Sequence, residues 1–229
     1  MNNFKKNWFK NKKILEDSHV YNELDEHSSC GVGLIASLDG TPKREIVEMG
    51  VQALKVLYHR GAVDADGKTG DGAGIQLSIP KDFFIDKIQR TGHDHNDLPF
   101  AVGMIFLPRT DFAAQEESRT LVESEIIKEG LKIYGWRHVP INSSIIGDKA
   151  KATRPEIEQI LICNEQIDND TEFEHLLFII RQRLEHQIRT ITIPDFSICS
   201  LSCQSIIYIF MFLSSPFSHF YLYIPTVHF

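Results

Sequence analysis

The chain has 229 residues, 42% hydrophobic and 24% charged, the range of an ordinary globular domain with a sizeable core, which excludes a disordered chain. A formal net charge of -7 excludes a nucleic-acid-binding surface, because neutralising phosphates needs a concentration of Lys and Arg; small molecules and proteins are the expected partners. Four cysteines, at 30, 163, 199 and 203, form neither a dense disulfide framework nor paired zinc clusters, so a reducing, cytoplasmic setting is expected.

Residues 1–29 read as polar and aperiodic. The first 13 hold five lysines and no acid, and no apolar run follows, so they are not a secretory signal. They are expected to be a solvated leader; a transit peptide, which would place the protein in an organelle, is typically longer and richer in Arg. Cys30 to Leu38 reads as a buried strand closing on the Asp39-Gly40 turn, with Val32, Leu34, Ile35 and Ala36 inward.

Arg44 to His59 carries Val47, Gly50, Leu54 and Leu57 at spacings of three and four, a helix that delivers His59-Arg60-Gly61. The glycine-rich stretch Thr69 to Gly74 leads into the alternation of Ile75, Leu77 and Ile79, a strand ended by Pro80. Phe100 to Leu107 is an apolar run of strand length, expected at the centre of a sheet. From Asp111, a plausible N-cap, to Tyr134 the pattern is helical, with Leu121, Ile126, Ile127, Leu131 and Ile133 inward and Gly135 as the stop. Ile160 to Cys163 reads as a short strand. A second helix spans about Thr171 to Arg189, burying Phe173, Leu176, Leu177, Ile180 and Leu184, with Glu174 and Glu185 outward. Strands at both ends of the chain around two helices predict an α+β layered sandwich.

Past Asp195 no Lys, Arg, Asp or Glu occurs, and Ile206 to Leu213 is apolar. A membrane span needs about 20 predominantly apolar residues, and Ser214, Ser215, Pro216, Ser218 and His219 interrupt this stretch; no membrane anchor is expected. His93-Asp94-His95 with Asp97 has metal-capable side chains but sits in a polar loop, and no metal is expected there. Cys199 and Cys203 lie four apart on a presumed strand and are expected to face one side as buried thiols. Thr69 to Gly74 lacks the Gly-Lys-Ser/Thr ending of a phosphate loop and leads into a strand, so close backbone packing is its expected role.

Taken alone, Cys30 is a cysteine at a strand start, and most of these are small hydrophobic packers. The ordered combination is more specific: Cys-Gly-Val-Gly-Leu-Ile-Ala at 30–36, a helix, His-Arg-Gly-Ala-Val-Asp-Ala-Asp at 59–66 and Thr-Gly-Asp-Gly-Ala-Gly-Ile at 69–75. Together these resemble the amino-terminal glutaminase domain of the glutamate synthase large subunit, a class II glutamine amidotransferase, over about Tyr21 to Tyr208. The resemblance implies an incomplete four-layer αββα N-terminal-nucleophile hydrolase sandwich. Residues 1–29 would be a removable leader, 30–208 a partial amidotransferase domain, and 209–229 an aberrant uncharged tail, with a reading-frame artefact the favoured explanation of its abrupt start. It implies Cys30 as the catalytic nucleophile, Arg60 as active-site support, and hydrolysis of glutamine to glutamate and ammonia. The family's full-length enzymes carry FMN and an iron-sulfur cluster, and this chain is expected to hold neither; glutamine is the expected substrate, with synthase domains and a small subunit as partners in the whole enzyme.

The family's oxyanion-hole Asn-Gly pair and its Arg-Phe-Ser-Thr segment occur nowhere in the 229 residues. The chain alone is therefore expected to be inactive, since removing one oxyanion donor typically costs about 10²- to 10³-fold in rate. The alternative is a non-enzymatic truncated fragment that only binds or assembles with other chains. A papain-like protease stands further off, because Cys30 has no flanking signature for it.

Overall fold

The computed structural model describes residues 3–18, 31–56, 64–70, 72–167, 169–191 and 193–211. The chain divides into two units, Met1–Gly33 and Leu34–Phe229. In the first, α1 spans Asn3–Asp17, where the sequence reads as aperiodic. Its solvated character is nevertheless plain. Trp8 and Phe9 stack edge to face at 5.0 Å with both rings exposed, and Lys12 lies over Trp8 and 3.8 Å from Glu16. Local pairs of this kind support a helix without burying a face.

In the second unit, α2 (Arg44–Val56), β1 (Gly72–Ser78), α3 (Lys81–Arg90), β2 (Phe100–Leu107) and α4 (Phe112–Lys128) follow in turn, then β3 (Lys132–His138), α5 (Asp148–Thr153), β4 (Glu156–Cys163), α6 (Asp170–Thr190), β5 (Ser197–Ser202) and β6 (Ser205–Met211). One sheet has the order β3-β4-β2-β5 and another pairs β1 with β6, every pairing antiparallel. The fold is thus mixed helix and antiparallel sheet, and β2 is central as its unbroken apolar run predicts. At Gly103 in β2 an added Cβ would lie 2.6 Å from Ile160 Cγ2 and 3.1 Å from Leu201 Cδ1. Glycine is there because both flanking strands already fill that space.

Alternation along the four-stranded sheet sends residues to two cores. Ala101, Ile105, Leu107, Ile160 and Ile162 meet Val122 and Ile126 of α4 and Phe173, Leu177, Ile180 and Leu184 of α6. Phe100, Val102, Met104, Leu161 and Cys163 face the other way, onto Phe84 and Ile88 of α3 and Ile206 and Tyr208 of β6. Each such fully buried aliphatic or aromatic side chain contributes roughly 1.5–3 kcal/mol relative to exposure. On the β1/β6 sheet, α2 approaches closely enough that a Cβ on Gly50 would meet Ile75 Cδ1 at 2.9 Å.

Several expectations need correction. Residues 31–37 take no regular secondary structure, and Val32 and Leu34 are 95% and 92% exposed rather than buried. A strand is held by its neighbour's backbone, and among the described residues none pairs with this segment, β1 and β6 pairing with each other. The helix expected to run to Tyr134 ends at Lys128: Gly130 turns the chain at φ 76°, and the chain from Lys132 is strand, leaving Ile127 exposed. Leu131 and Ile133 fit a helical stripe and a strand alternation equally well, which is why the overrun occurred. Strand β3 therefore joins β4, which contains the short strand expected at Ile160 to Cys163, between the long helices. Helices α3 and α5 were not anticipated; α3 begins directly after Pro80, whose fixed φ suits a helix entrance. Strand β6 continues through Ile209, Phe210 and Met211 in register with Gly74, Ala73 and Gly72, past the point where the tail was expected to start.

Candidate functional site

Cys30, the expected nucleophile, and Arg60, the expected support, both lie outside the described residues, as do His59 and Asp71. What is described are the pieces beside them in sequence. Helix α2 ends at Val56, shortly before Arg60, and carries Glu45 in its first turn and Lys55 in its last, both favourable to the helix dipole. The turn at Asp39-Gly40 forms as predicted: Asp39 accepts from Ser37 Oγ, from Thr41 N (3.0 Å) and Oγ1 (2.6 Å), and from Lys43 Nζ at 2.5 Å. These donors hold its carboxyl far below the usual carboxylate range, the Lys43 bond most of all.

The segment 64–70 is a self-capped loop. Asp66 accepts from Lys68 N at 2.9 Å, Thr69 N at 2.7 Å and Thr69 Oγ1 at 2.5 Å, while Asp64 N donates to Thr69 O at 2.8 Å. The Thr69 bonds, with that of Lys68, depress the Asp66 pKa to about 2. Asp64 reaches out of the loop to Lys149 Nζ at 2.6 Å, the largest reason its own pKa is lowered. Two residues later β1 begins, so the stretch leads into a strand and not into the helix that follows a phosphate loop.

The described thiols are not activated. Burial, as the first cause, pushes Cys163 and Cys199 up and raises Cys203 to about 12, with the Glu174 carboxylate adding to the last. A nucleophilic cysteine needs the opposite shift. Cys199 and Cys203 do not share a side: the β2/β5 register slips between Met104 and Ile105, leaving Cys199 at the irregularity, packed with the α3-side core, whereas Cys203 lies beyond β5 against the other core. Glu174, expected to point outward, accepts from Ser202 Oγ at 3.0 Å and Cys203 N at 2.8 Å, clasping the turn into β6. His93 bonds Thr91 Oγ1 at 3.0 Å and His95 sits edge-on to Phe100; among the described residues no three His, Cys, Asp or Glu gather as a metal would need.

Two polar groupings had no signal in the sequence. Arg119 Nε and Nη2 donate to Glu158 Oε2 and Oε1 at 2.8 and 2.6 Å, and His138 Nδ1 lies 3.2 Å from the same carboxylate. On the opposite face of the sheet, Arg137 donates to the buried Gln159 and lies over the Phe83 ring. Burial lowers the Arg137 pKa. Nearby, burial raises that of Tyr208, whose hydroxyl faces Gln159 without a hydrogen bond of normal geometry.

Residues 30–229 match the family described as "Glutamine amidotransferases class-II". The chain is 54% identical over 211 residues to the "Glutamate synthase [NADPH] large chain" of Azospirillum brasilense, covering 92% of this chain and 14% of that protein. It is 38% identical over 201 residues to the "Ferredoxin-dependent glutamate synthase 1, chloroplastic/mitochondrial" of Arabidopsis thaliana, covering 87% of this chain and 12% of that one. To the "Glutamate synthase [NADPH] large chain" of Bacillus subtilis it is 34% identical over 194 residues, covering 82% and 12%. The chain thus spans about one-seventh or less of the length of these relatives. It belongs to the class II glutamine amidotransferases and corresponds to the amidotransferase domain of glutamate synthase large chains.

Proposed function

We propose that the chain is the glutaminase domain of a glutamate synthase, with Cys30 as an N-terminal nucleophile exposed by removal of residues 1–29. The observation that carries this reading is that the family match opens at residue 30, on the cysteine itself. The thiol ordinarily ionises near pH 8.5, and a free α-amine of pKa about 7.7–8.0 on the same residue can take its proton. The sulfur attacks the side-chain amide carbon of glutamine; the tetrahedral intermediate collapses as nitrogen leaves with a proton as ammonia. Water then cleaves the γ-glutamyl thioester, releasing glutamate and restoring the thiol. Arg60 is assigned as a fixed positive charge organising the nucleophile's end of the site, a role its planar guanidinium suits better than Lys would.

The packing of α4 and α6, the four-stranded sheet, the β1/β6 sheet and α2 supports reading the domain as the four-layer αββα arrangement. Without the Asn-Gly pair and the Arg-Phe-Ser-Thr segment, multiple turnover by this chain alone is expected to be very slow. FMN and an iron-sulfur cluster, which the synthase reaction requires by resemblance, are assigned outside this chain. Ammonia would pass to the synthase domains of the longer enzyme.

A diazoketone analogue of glutamine, which alkylates a thiol in place of the amide step, tests this reading. Peptide mapping should find the adduct on Cys30 alone, and Cys30→Ser should abolish it. An adduct spread over Cys163, Cys199 and Cys203, or none on Cys30 with its amine free, would leave the non-enzymatic binding fragment as the better description.

A further inference from the structure

Helix α1 lies before residue 30, where the family match opens, and the amidotransferase reading gives it no work. From Lys6 to Asp17 every residue but Lys12 is exposed, with Trp8, Phe9, Ile14 and Leu15 at 51%, 57%, 54% and 44%. A helix of this length standing free is marginal in water. Large apolar side chains left open together on one mark a face that something else covers.

The side chains of α1 are sorted by face. At 3.6 residues per turn, Trp8 and Leu15 stand nearly one above the other with Ile14 beside them, whereas Lys6, Lys10 and Lys13 come round on the other side. Lys12 marks a border, its ammonium over the Trp8 ring, as a lysine does when its stem lies along apolar surface and its head stays in water. Charge narrows the occupant. The first 13 residues hold five lysines and no acid in a chain of net charge -7, so an anionic surface attracts this end and repels the rest. Lysines on one face, with tryptophan and aliphatic side chains on the other, are the composition of helices that lie in the headgroup layer of a bilayer. Lying on the surface, not through it, is the fitting mode, since no described helix is long and apolar enough to cross a membrane.

We infer that α1 is an interfacial helix that holds the chain, while residues 1–29 remain attached, on an anionic lipid surface. Trp8, Ile14 and Leu15 enter the headgroup region and the lysines meet the lipid charge. The inference rests on α1 alone and stands apart from the reading of Cys30.

Flotation of the full chain with vesicles tests it, using phosphatidylcholine alone and with about one-third phosphatidylserine, at low salt. The chain should float with the mixed vesicles and not with phosphatidylcholine alone, and its tryptophan emission should move to shorter wavelength on binding. Trp8→Asn should weaken binding on the order of tenfold or more and remove that shift. Replacing Lys10 and Lys13 together by Gln should weaken it on the order of tenfold. A chain that begins at Cys30 should not float. Equal flotation with both vesicles, flotation of the chain that begins at Cys30, or binding unchanged in Trp8→Asn would overturn the inference. So would no flotation at all, and slow amide exchange over 6–17 in the vesicle-free chain would then assign the face to a protein surface.

Discussion

Arg119 on α4 grips Glu158 on β4 through two parallel bonds of 2.8 and 2.6 Å, with the carboxylate only 2% exposed. A two-point pair of this kind fixes how the helix lies on the sheet, because the planar guanidinium fork admits one orientation of the carboxylate. Replacing Arg119 by Ala strands a buried charge, which costs about 3 kcal/mol or more when a partner is removed. The urea midpoint of Arg119→Ala should therefore fall well below that of the unaltered chain, and more than that of Arg119→Lys. Equal midpoints would show that His138, not Arg119, satisfies Glu158.

Gly103→Ala should destabilise by overpacking, by about 1–3 kcal/mol, because its methyl group would enter the space of Ile160 and Leu201. Denaturant unfolding measures the loss. A compensating Ile160→Leu in the same chain, which removes the γ2 methyl that the new Cβ would meet, should recover part of it, and no recovery would mean that the backbone, not that side chain, gives way.

These relationships separate what was legible in the sequence from what was not. Strand β2 was readable as an uninterrupted apolar run of strand length and helix α6 from Phe173, Leu177, Ile180 and Leu184 at helical spacing, even though Phe178 and Ile179 on the same helix are exposed, and Asp111 caps α4 as expected by accepting from Ala114 N at 3.0 Å. The helix-to-strand switch at Gly130 was not, since Leu131 and Ile133 satisfy both periods. The strand alternation that should place Cys199 and Cys203 together fails because a register irregularity and a turn intervene. Arg119 with Glu158, and Lys149 with Asp64, join residues far apart in the chain, where local pattern carries no information. The nucleophile itself was suggested by ordered motifs rather than by periodicity, and Cys30 and Arg60 lie outside the described residues.

Thiol reactivity should follow the Glu174 clasp. With its pKa raised to about 12 by burial first and by Glu174 second, Cys203 stays protonated at pH 8 and should react with a disulfide reagent far more slowly than free cysteine. Glu174→Gln removes the carboxylate's share and should speed Cys203 while leaving Cys163 unchanged. Because the folded pKa lies above the ordinary thiol value of 9.0, any stability Cys203 contributes is complete below pH 9 and lost as pH rises towards 12. Equal rates for Cys203 and a free thiol at pH 8 would contradict the assignment.

At the acid end, Asp66 is depressed to about 2 from an ordinary 3.8 by its bonds to Thr69 and Lys68. A depressed carboxyl contributes above pH 3.8 and ceases to as pH falls to about 2. Carboxyl titration by NMR should place the Asp66 midpoint near 2, with the 64–69 amide signals shifting over the same window. In Asp66→Asn those amides should no longer titrate there. A midpoint near 3.8 would show that the loop bonds do not form in solution.

The most direct measurement compares diazoketone labelling of Cys30 in a chain that begins at Cys30 with labelling in one that retains residues 1–29, from pH 6 to 9. With the α-amine as the base, the first chain should label Cys30 with a rate rising through the amine's pKa, about 7.7–8.0, and the second should label little or not at all. Equal labelling in the two chains would contradict the assignment of Cys30 as an N-terminal nucleophile.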